Sequence, residues 1–333
     1  MSYTERPSEE FISVLRKCGD SDMEVALAAQ REFAKALELP LRKGVLIGNI
    51  LGNIFETINV EPGGSTEYPL DLLSPGLEGE HVAYTNPGHG RVPERAVESD
   101  YVMIPTYSIA SSIDFLLRYA REARWDITAR AMQVLEAGFV KKMNDDGWHT
   151  LLAAGVDRNI VTFDSDADAG QFTKRLVSLM KTVMRRNGGG NSASNNRGLL
   201  TDLYVSPEAM EDLRNWNVDQ VDEVTRREIY TAEDGAINRV FGVNLHDLDE
   251  LGVSQEYNTF YDVTMAGSFP TADTELVVGL DLRRRDSFVM PVREPVQIYE
   301  DDTLHRQKRA GYYGWAEQGF AVLDNRRVLL GSL

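Results

Sequence analysis

The sequence predicts an α+β fold, and three observations carry that reading. Apolar residues recur at three- and four-residue spacing through the N-terminal half, the C-terminal half breaks into short strand-like runs between turns, and no fixed-period repeat is visible. The 333 residues are 42% hydrophobic and 26% charged, ordinary globular usage with room for one large domain or two to three lobes. Acidic residues outnumber basic ones 52 to 35, and the net charge of −17 argues against a main surface that wraps a nucleic-acid backbone, although local basic patches stay open. The single cysteine, Cys18, excludes an internal disulfide framework and a multi-thiolate metal site. The opening MSYTERPSEEF has no apolar signal-peptide core, and no run approaches the ~18 apolar residues of a membrane span, so a soluble cytoplasmic product is expected.

A short helix is expected over Glu9 to Lys17, and a second, capped by Asp20 or Ser21, through MEVALAAQREFAKALEL to Pro40. LRKGVLIGNILGNIFETI (Leu41 to Ile58) mixes three glycines with apolar residues and reads as a connecting strand. From Asn59 to Tyr101, prolines and glycines leave little room for helix. A structureless excursion of ~40 residues is uncommon in a compact domain, so its apolar residues (Val60, Tyr68, Leu70, Leu72, Leu73, Leu77, Val82, Tyr84, Val92) imply a partner surface. After a strand-like YVMIPTYSI, a stripe from Ile113 and Leu116 to Gly138 and Phe139 predicts one long amphipathic helix broken near Asp126. A further helix is expected over Gln171 to Arg186, followed by a flexible NGGGNSASNNRG loop. LTDLYVSPEAMEDLRNW then reads as strand, Ser-Pro break and helix, and NRVFGVNLHDL, QEYNTFYDVTM, TELVVGLDL, DSFVMPVREPVQIYED and AGYYGWAEQGFAVLDNRRVLLGSL read as strands.

Catalytic motifs are weak throughout. DSDADAG (Asp164 to Gly170) alternates carboxylates as a calcium loop does, but Ala169 and Arg175 stand where that loop needs Gly and Glu, so helix capping is the simpler reading. Ser178 to Lys181 has Ser-x-x-Lys spacing without its usual partner motifs, and there is no Gly-x-Ser-x-Gly elbow. His81, His89, His149, His246 and His305 are scattered without zinc-site spacing. Two basic clusters, Arg283 to Arg285 and Arg326 with Arg327, read as solvated faces or contacts to a neighbouring copy, with nucleic-acid phosphates as the alternative.

With this order of parts, the chain resembles tailed-bacteriophage major capsid proteins of the Hong Kong 97 type. The resemblance rests on GVLIGNILGNIFETINVEPGGSTEYPLD, REARWDITARAMQVLEAGFVKKMNDDGWHTLLAAG, LTDLYVSPEAMEDLRNW and AGYYGWAEQGFAVLDNRRVLLGSL in that sequence. It implies an N-terminal arm (1–55), an extended hairpin-like loop (56–104), a peripheral domain with a spine helix (105–165, completed by strands within about 286–325) and an axial domain (166–285, with 326–333). The implied role is a non-enzymatic subunit that assembles with copies of itself into pentamers and hexamers of an icosahedral shell around double-stranded DNA. Expected inter-subunit contacts are Tyr68, Leu70, Leu72, Leu73, Leu77, Tyr84, Arg91, Arg95, Arg283, Arg284 and Arg285. No cofactor or metal is expected. Further partners would be scaffolding, portal and decoration proteins and weakly held DNA, with no membrane, in a virion assembled in the host cytoplasm. Some members of that family join subunits covalently through a lysine of the extended loop, and residues 56–104 contain no lysine. The readings set against this one are an encapsulin-like nanocompartment shell and, more remotely, a metal-dependent hydrolase using Asp164, Asp166, Asp168 and a histidine.

Overall fold

A computed structural model describes residues 9–48, 50–61, 63–69, 101–122, 124–158, 160–168, 170–187, 198–216, 239–264, 275–283 and 285–333. In chain order the elements are α1 (Glu9–Cys18), α2 (Met23–Gly48), β1 (Glu56–Asn59), β2 (Glu67–Pro69), β3 (Tyr101–Met103), β4 (Tyr107–Leu116), α3 (Leu117–Arg121), α4 (Trp125–Asp157), β5 (Val161–Phe163) and α5 (Lys174–Asn187). There follow β6 (Asp202–Val205), α6 (Pro207–Asn215), β7 (Arg239–Val240), β8 (Val243–Asp247), α7 (Glu256–Thr264), β9 (Leu276–Leu280), β10 (Phe288–Asp301), β11 (Arg309–Gln318), β12 (Ala321–Val322) and β13 (Val328–Ser332). The chain forms two compact units, Met1–Glu67 with Met103–Gly147 and Val289–Ala321, and Tyr68–Val102 with Trp148–Phe288 and Val322–Leu333. Helix α4, 33 residues and about 50 Å long, contributes Trp125–Gly147 to the first unit and Trp148–Asp157 to the second.

The first unit packs α1, α2 and α4 on a sheet ordered β1-β10-β11-β4. Its core joins Leu15, Phe33 and Leu37 to Leu135, Phe139, Ile298 and Tyr312. Cys18 lies inside it at 0% exposure, and burial, only partly offset by its hydrogen bond with Tyr312, pushes the thiol up to about 12. Helix α2 corrects the expected stop at Pro40 and the expected strand after it, because the helix runs on to Gly48. Phe33, Leu37, Leu41 and Val45 form one buried stripe at four-residue spacing. Burying Leu41 and Val45 yields roughly 3–6 kcal/mol, which offsets the ~3 kcal/mol of a mid-helix proline. Of the predicted strand only residues 56–58 are extended, as part of β1, which pairs parallel with β10.

Strand β4 corrects a second expectation, since Ile113 and Leu116 belong to it and not to the long helix. It pairs with β11 over ten residues, from Tyr107↔Gln318 to Leu116↔Arg309. Buried Ile109 and Phe115 and half-buried Ile113 alternate with Ser108, Ala110 and Ser112, a period of two that overrode the three- and four-residue spacing. The helical break falls between α3 and α4, beside the expected Asp126.

The second unit is a six-stranded sheet ordered β5-β13-β9-β6-β8-β7. Phe172, Leu176, Met180, Leu203, Met210, Leu213, Val277 and Leu329 form its core with α5 and α6. The strand, Ser-Pro break and helix are all present. Ser206 Oγ accepts a hydrogen bond from Ala209 N at 3.0 Å, and Pro207 fills the first turn, as a capped N-terminus requires. QEYNTFYDVTM is corrected from strand to helix α7. Tyr257 and Tyr261, four apart, are both buried, and Asn258 Oδ1 accepts from Leu276 N at 3.1 Å, so tertiary packing outweighed the strand preference of the aromatics.

Arg326 and Arg327 are corrected from surface basics to buried ones, 2% and 1% exposed. Arg327 Nη1 lies 2.7 Å from Asp281 Oδ2, and Arg326 Nε 2.7 Å from Asp324 Oδ1. Burial alone would raise Asp281, but hydrogen bonds from Arg283 and Leu199 N and the charge of Arg327 hold it below the usual carboxylate range. Glu275 shifts oppositely, because burial raises it more than its Ser206 hydrogen bond lowers it.

Arg327→Met is expected to cost about 3–5 kcal/mol in chemical denaturation at neutral pH, because it leaves Asp281 buried without its full complement of charge. Asp281, depressed in the folded state, contributes stability above the ordinary carboxylate range that disappears as pH falls through and below it. Acid sensitivity in that window should therefore flatten in Asp281→Asn, and an unchanged acid limb would contradict the assignment.

Candidate functional site

The acidic loop before α5 is occupied by the chain itself. Thr173 Oγ1 donates to Asp164 Oδ2 at 2.7 Å and accepts from Leu176 N at 3.2 Å. Thr173, not one of the aspartates, therefore caps α5. Arg175, at the position where a calcium loop carries its bidentate Glu, forms ion pairs with both Asp164 and Asp166. Among the described residues no group of three or more His, Cys, Asp or Glu side chains is arranged to hold a metal ion. His246 Nε2 lies 2.9 Å from Asp202 Oδ1 and its ring stacks on Tyr204 at 4.7 Å. Burial opposes ionisation of Asp202, yet hydrogen bonds from His246, Thr201 and Asn244 hold its carboxyl below the usual range. The pair serves as a brace between the parallel strands β6 and β8, which align Tyr204 with His246.

The surfaces left open are of a different kind. On the first unit's sheet, Tyr299 stacks on Tyr313 at 5.7 Å and meets Trp315 edge-on at 5.2 Å. Trp315 is 41% exposed, and at the strands flanking the 70–100 segment Tyr101 and Met103 reach 63% and 67%. Strands β2 and β3 pair with each other. Large apolar groups this open point to an unmet partner.

On the second unit, one face of α5 lines a groove of about 870 Å³ with Lys174, Arg175, Ser178, Lys181, Thr182, Arg185 and Arg186, joined by Leu199 and Phe241. Ser178 and Lys181 of the Ser-x-x-Lys match lie here, with Lys181 Nζ donating to Phe241 O at 2.6 Å. Phe241 and Gly242 make the two-residue turn between β7 and β8, and both have positive φ, 50° and 76°, as a type I′ turn requires. A phenylalanine in that backbone region is strained, and this one is also 51% exposed. The apolar stripe of α5 predicts the helix, and Ser178 and Lys181 stand in the sequence as a Ser-x-x-Lys match. The cations and hydroxyls on the opposite face of KRLVSLMKTVMRRN were legible at the same spacing.

Of the expected contact residues, Tyr68 is half-buried in β2 and Arg283 is exposed, with Arg283 Nη2 2.9 Å from Asp281 Oδ2. Arg285 opens a 3-10 turn to Ser287. Leu70, Leu72, Leu73, Leu77, Tyr84, Arg91, Arg95 and Arg284 lie outside the described residues, as do His81, His89 and residues 188–197 of the Gly-rich loop.

Phe241→Asn, which suits the left-handed conformation, should raise unfolding stability by on the order of 1 kcal/mol. A stability loss in thermal or urea unfolding would mean that Phe241 is held by packing that outweighs its backbone.

No family model matches the chain, and no curated protein matches it by sequence. Solved structures do. A structure from Microbacterium phage Oxtober96 superposes with a TM-score of 0.56 at 11% identity, over 86% of this chain and 90% of that one. The capsid of Myoviridae phage XM1 gives 0.53 at 10%, over 85% and 90%. The mature capsid of bacteriophage PhiM1 gives 0.52 at 11%, over 86% and 87%. Spanning nearly the whole of each chain, these superpositions establish that the protein has the tailed-phage capsid fold which its sequence resembles.

Proposed function

We propose that the protein is the major shell subunit of a tailed phage, assembling with copies of itself into pentamers and hexamers that enclose double-stranded DNA. The observation that carries the reading is the agreement with phage capsid chains over 85% or more of this chain. Fold alone does not dictate function, and the surface chemistry supplies the second support. Solvent meets an aromatic ladder, apolar strands flanking a Pro/Gly-rich segment and a cationic groove, while the polar clusters that resembled catalytic motifs are paired within the chain. In this reading the first unit takes the peripheral role around the spine helix α4, and the second takes the axial role. The 56–104 segment lies over an adjacent copy through Tyr68, Leu70, Leu72, Leu73, Leu77, Tyr84, Arg91 and Arg95, and Arg283, Arg284 and Arg285 face a neighbour. Hundreds of copies would present that surface at high effective concentration, which stabilises a segment too long and apolar to stand alone. Scaffolding, portal and decoration proteins are the expected further partners. A predominantly acidic protein would also hold packaged DNA weakly.

Negative-stain electron microscopy after size-exclusion chromatography, with and without co-expressed neighbouring genes, tests the proposal. Closed shells or five- and six-membered rings are expected. A monodisperse 37.3 kDa species under every condition would overturn it.

A further inference from the structure

The second unit is charged oppositely at its two ends. Strands β6 and β8 are parallel, with Asp202 beside Asn244 and Val205 beside Asp247. Leu199 and the Phe241-Gly242 turn therefore mark the end where both strands begin. There α5 presents Lys181, Arg185 and Arg186 around exposed Leu199 (42%) and Phe241 (51%). Within the described residues neither Arg185 nor Arg186 has an ion-pair partner. Where the strands end, about 17 Å away for a five-residue strand, the exposed charges include Asp247 at the end of β8, Asp249 after it, and Glu208 and Glu211 on α6. Val253, 45% exposed, stands in the same turn region.

We infer that the α5 groove receives the acidic Asp247–Val253 end of a second copy, so that these units associate head to tail. The inference rests on the shell reading and adds to it a specific pair of surfaces. Charge complementarity identifies the occupant: a chain of net charge −17 lines this groove with five cations and two hydroxyls, of which only Arg175 is ion-paired among the described residues, and exposes carboxylates at the other end. Apolar side chains stand exposed on both faces. The groove's apolar floor suits a peptide segment with acidic and aliphatic residues better than a phosphate backbone, which would use the cations and leave Phe241 and Leu199 uncovered. A contact between two different surfaces is heterologous and generates a ring when its rotation closes. Contacts among rim charges also select partners and weaken with salt.

The test uses two full-length variants, one with Lys181→Glu, Arg185→Glu and Arg186→Glu, the other with Glu211→Lys, Asp247→Lys and Asp249→Lys. Thermal unfolding first establishes that each folds. Each alone should lose ring or shell formation at least about tenfold relative to wild type, since like charges then face each other. Mixed in equal amounts, the acidic groove of one meets the basic tail of the other, and assembly should return. Alternation permits only even-numbered rings, so six-membered rings are expected and five-membered rings are not. Folded variants that assemble as wild type does would overturn the inference, as would a mixture that stays dispersed. Loss of DNA binding by the groove variant with assembly intact would assign the groove to phosphates and overturn it too. If wild type itself never assembles, the shell proposal fails instead, and the two failures are told apart by that control.

Discussion

One carboxylate holds three neighbouring strands of the second unit together. Asp281 follows β9, its Oδ2 accepts from Leu199 N ahead of β6 at 2.9 Å, and the same oxygen takes the Arg327 guanidinium ahead of β13 at 2.7 Å. Backbone bonds from Asp281 N to Arg327 O and Thr201 N to Leu280 O close the same end of the β13-β9-β6 ladder. A guanidinium and a carboxylate both withdrawn from water incur several kcal/mol each in lost hydration, so the arrangement persists only because nearly every lone pair is used. Its value is geometric. It fixes the register of a strand from the end of the chain between β5 and β9, and side-chain orientation in a sheet depends wholly on register.

That placement shapes how the chain reaches its native state. Strand β13 pairs with β5, some 170 residues earlier by their numbers (Leu330↔Val161), and β10 and β11 return to β1 and β4 of the first unit. Contacts this remote in sequence carry the full loop-closure cost before any strand pairing offsets it. The first unit's sheet needs β10 and β11, and the second unit's sheet needs β13, before either is complete.

The parts legible in the sequence were those whose local chemistry and burial agree. Ser206-Pro207 announced a break before a helix and the structure contains both, and the α5 and β9 to β11 runs fell where periodicity placed them. The errors share a cause. Pro40, the three-residue spacing of Ile113 with Leu116, and the tyrosines of α7 are local signals, and in each case burial against a distant part of the chain outweighed a local preference of a few kcal/mol. The burial of Arg327 was unreadable for the same reason, since its partner Asp281 becomes one only through the sheet, whereas Arg326 pairs with Asp324 two residues earlier. Of the candidate site, the cationic face of α5 stood in the sequence at helical spacing. What made it a groove, Phe241 and Leu199 brought beside it, required the β6-β8 pairing.

The strained Phe241 and the open aromatic ladder mark a division between what folds the monomer and what the monomer leaves unfinished. Core positions obey ordinary rules: Trp148 packs edge-on to Tyr204 at 4.9 Å, and Phe172 stacks on Trp216 at 5.7 Å, both inside a well-filled unit. Departures from those rules gather at the surface, as a non-glycine in a left-handed turn, aromatics half in water, and, among the described residues, the cations Arg185 and Arg186 without an ion pair. A protein selected as a free monomer would gain by removing each of them, with Asn at 241 and polar residues in place of Trp315. Their joint presence on a fold shared with capsid chains is explained if the contacts that satisfy them lie on another copy. Local rules are broken where function needs them broken, and in this chain the breaks fall on surfaces suited to self-association.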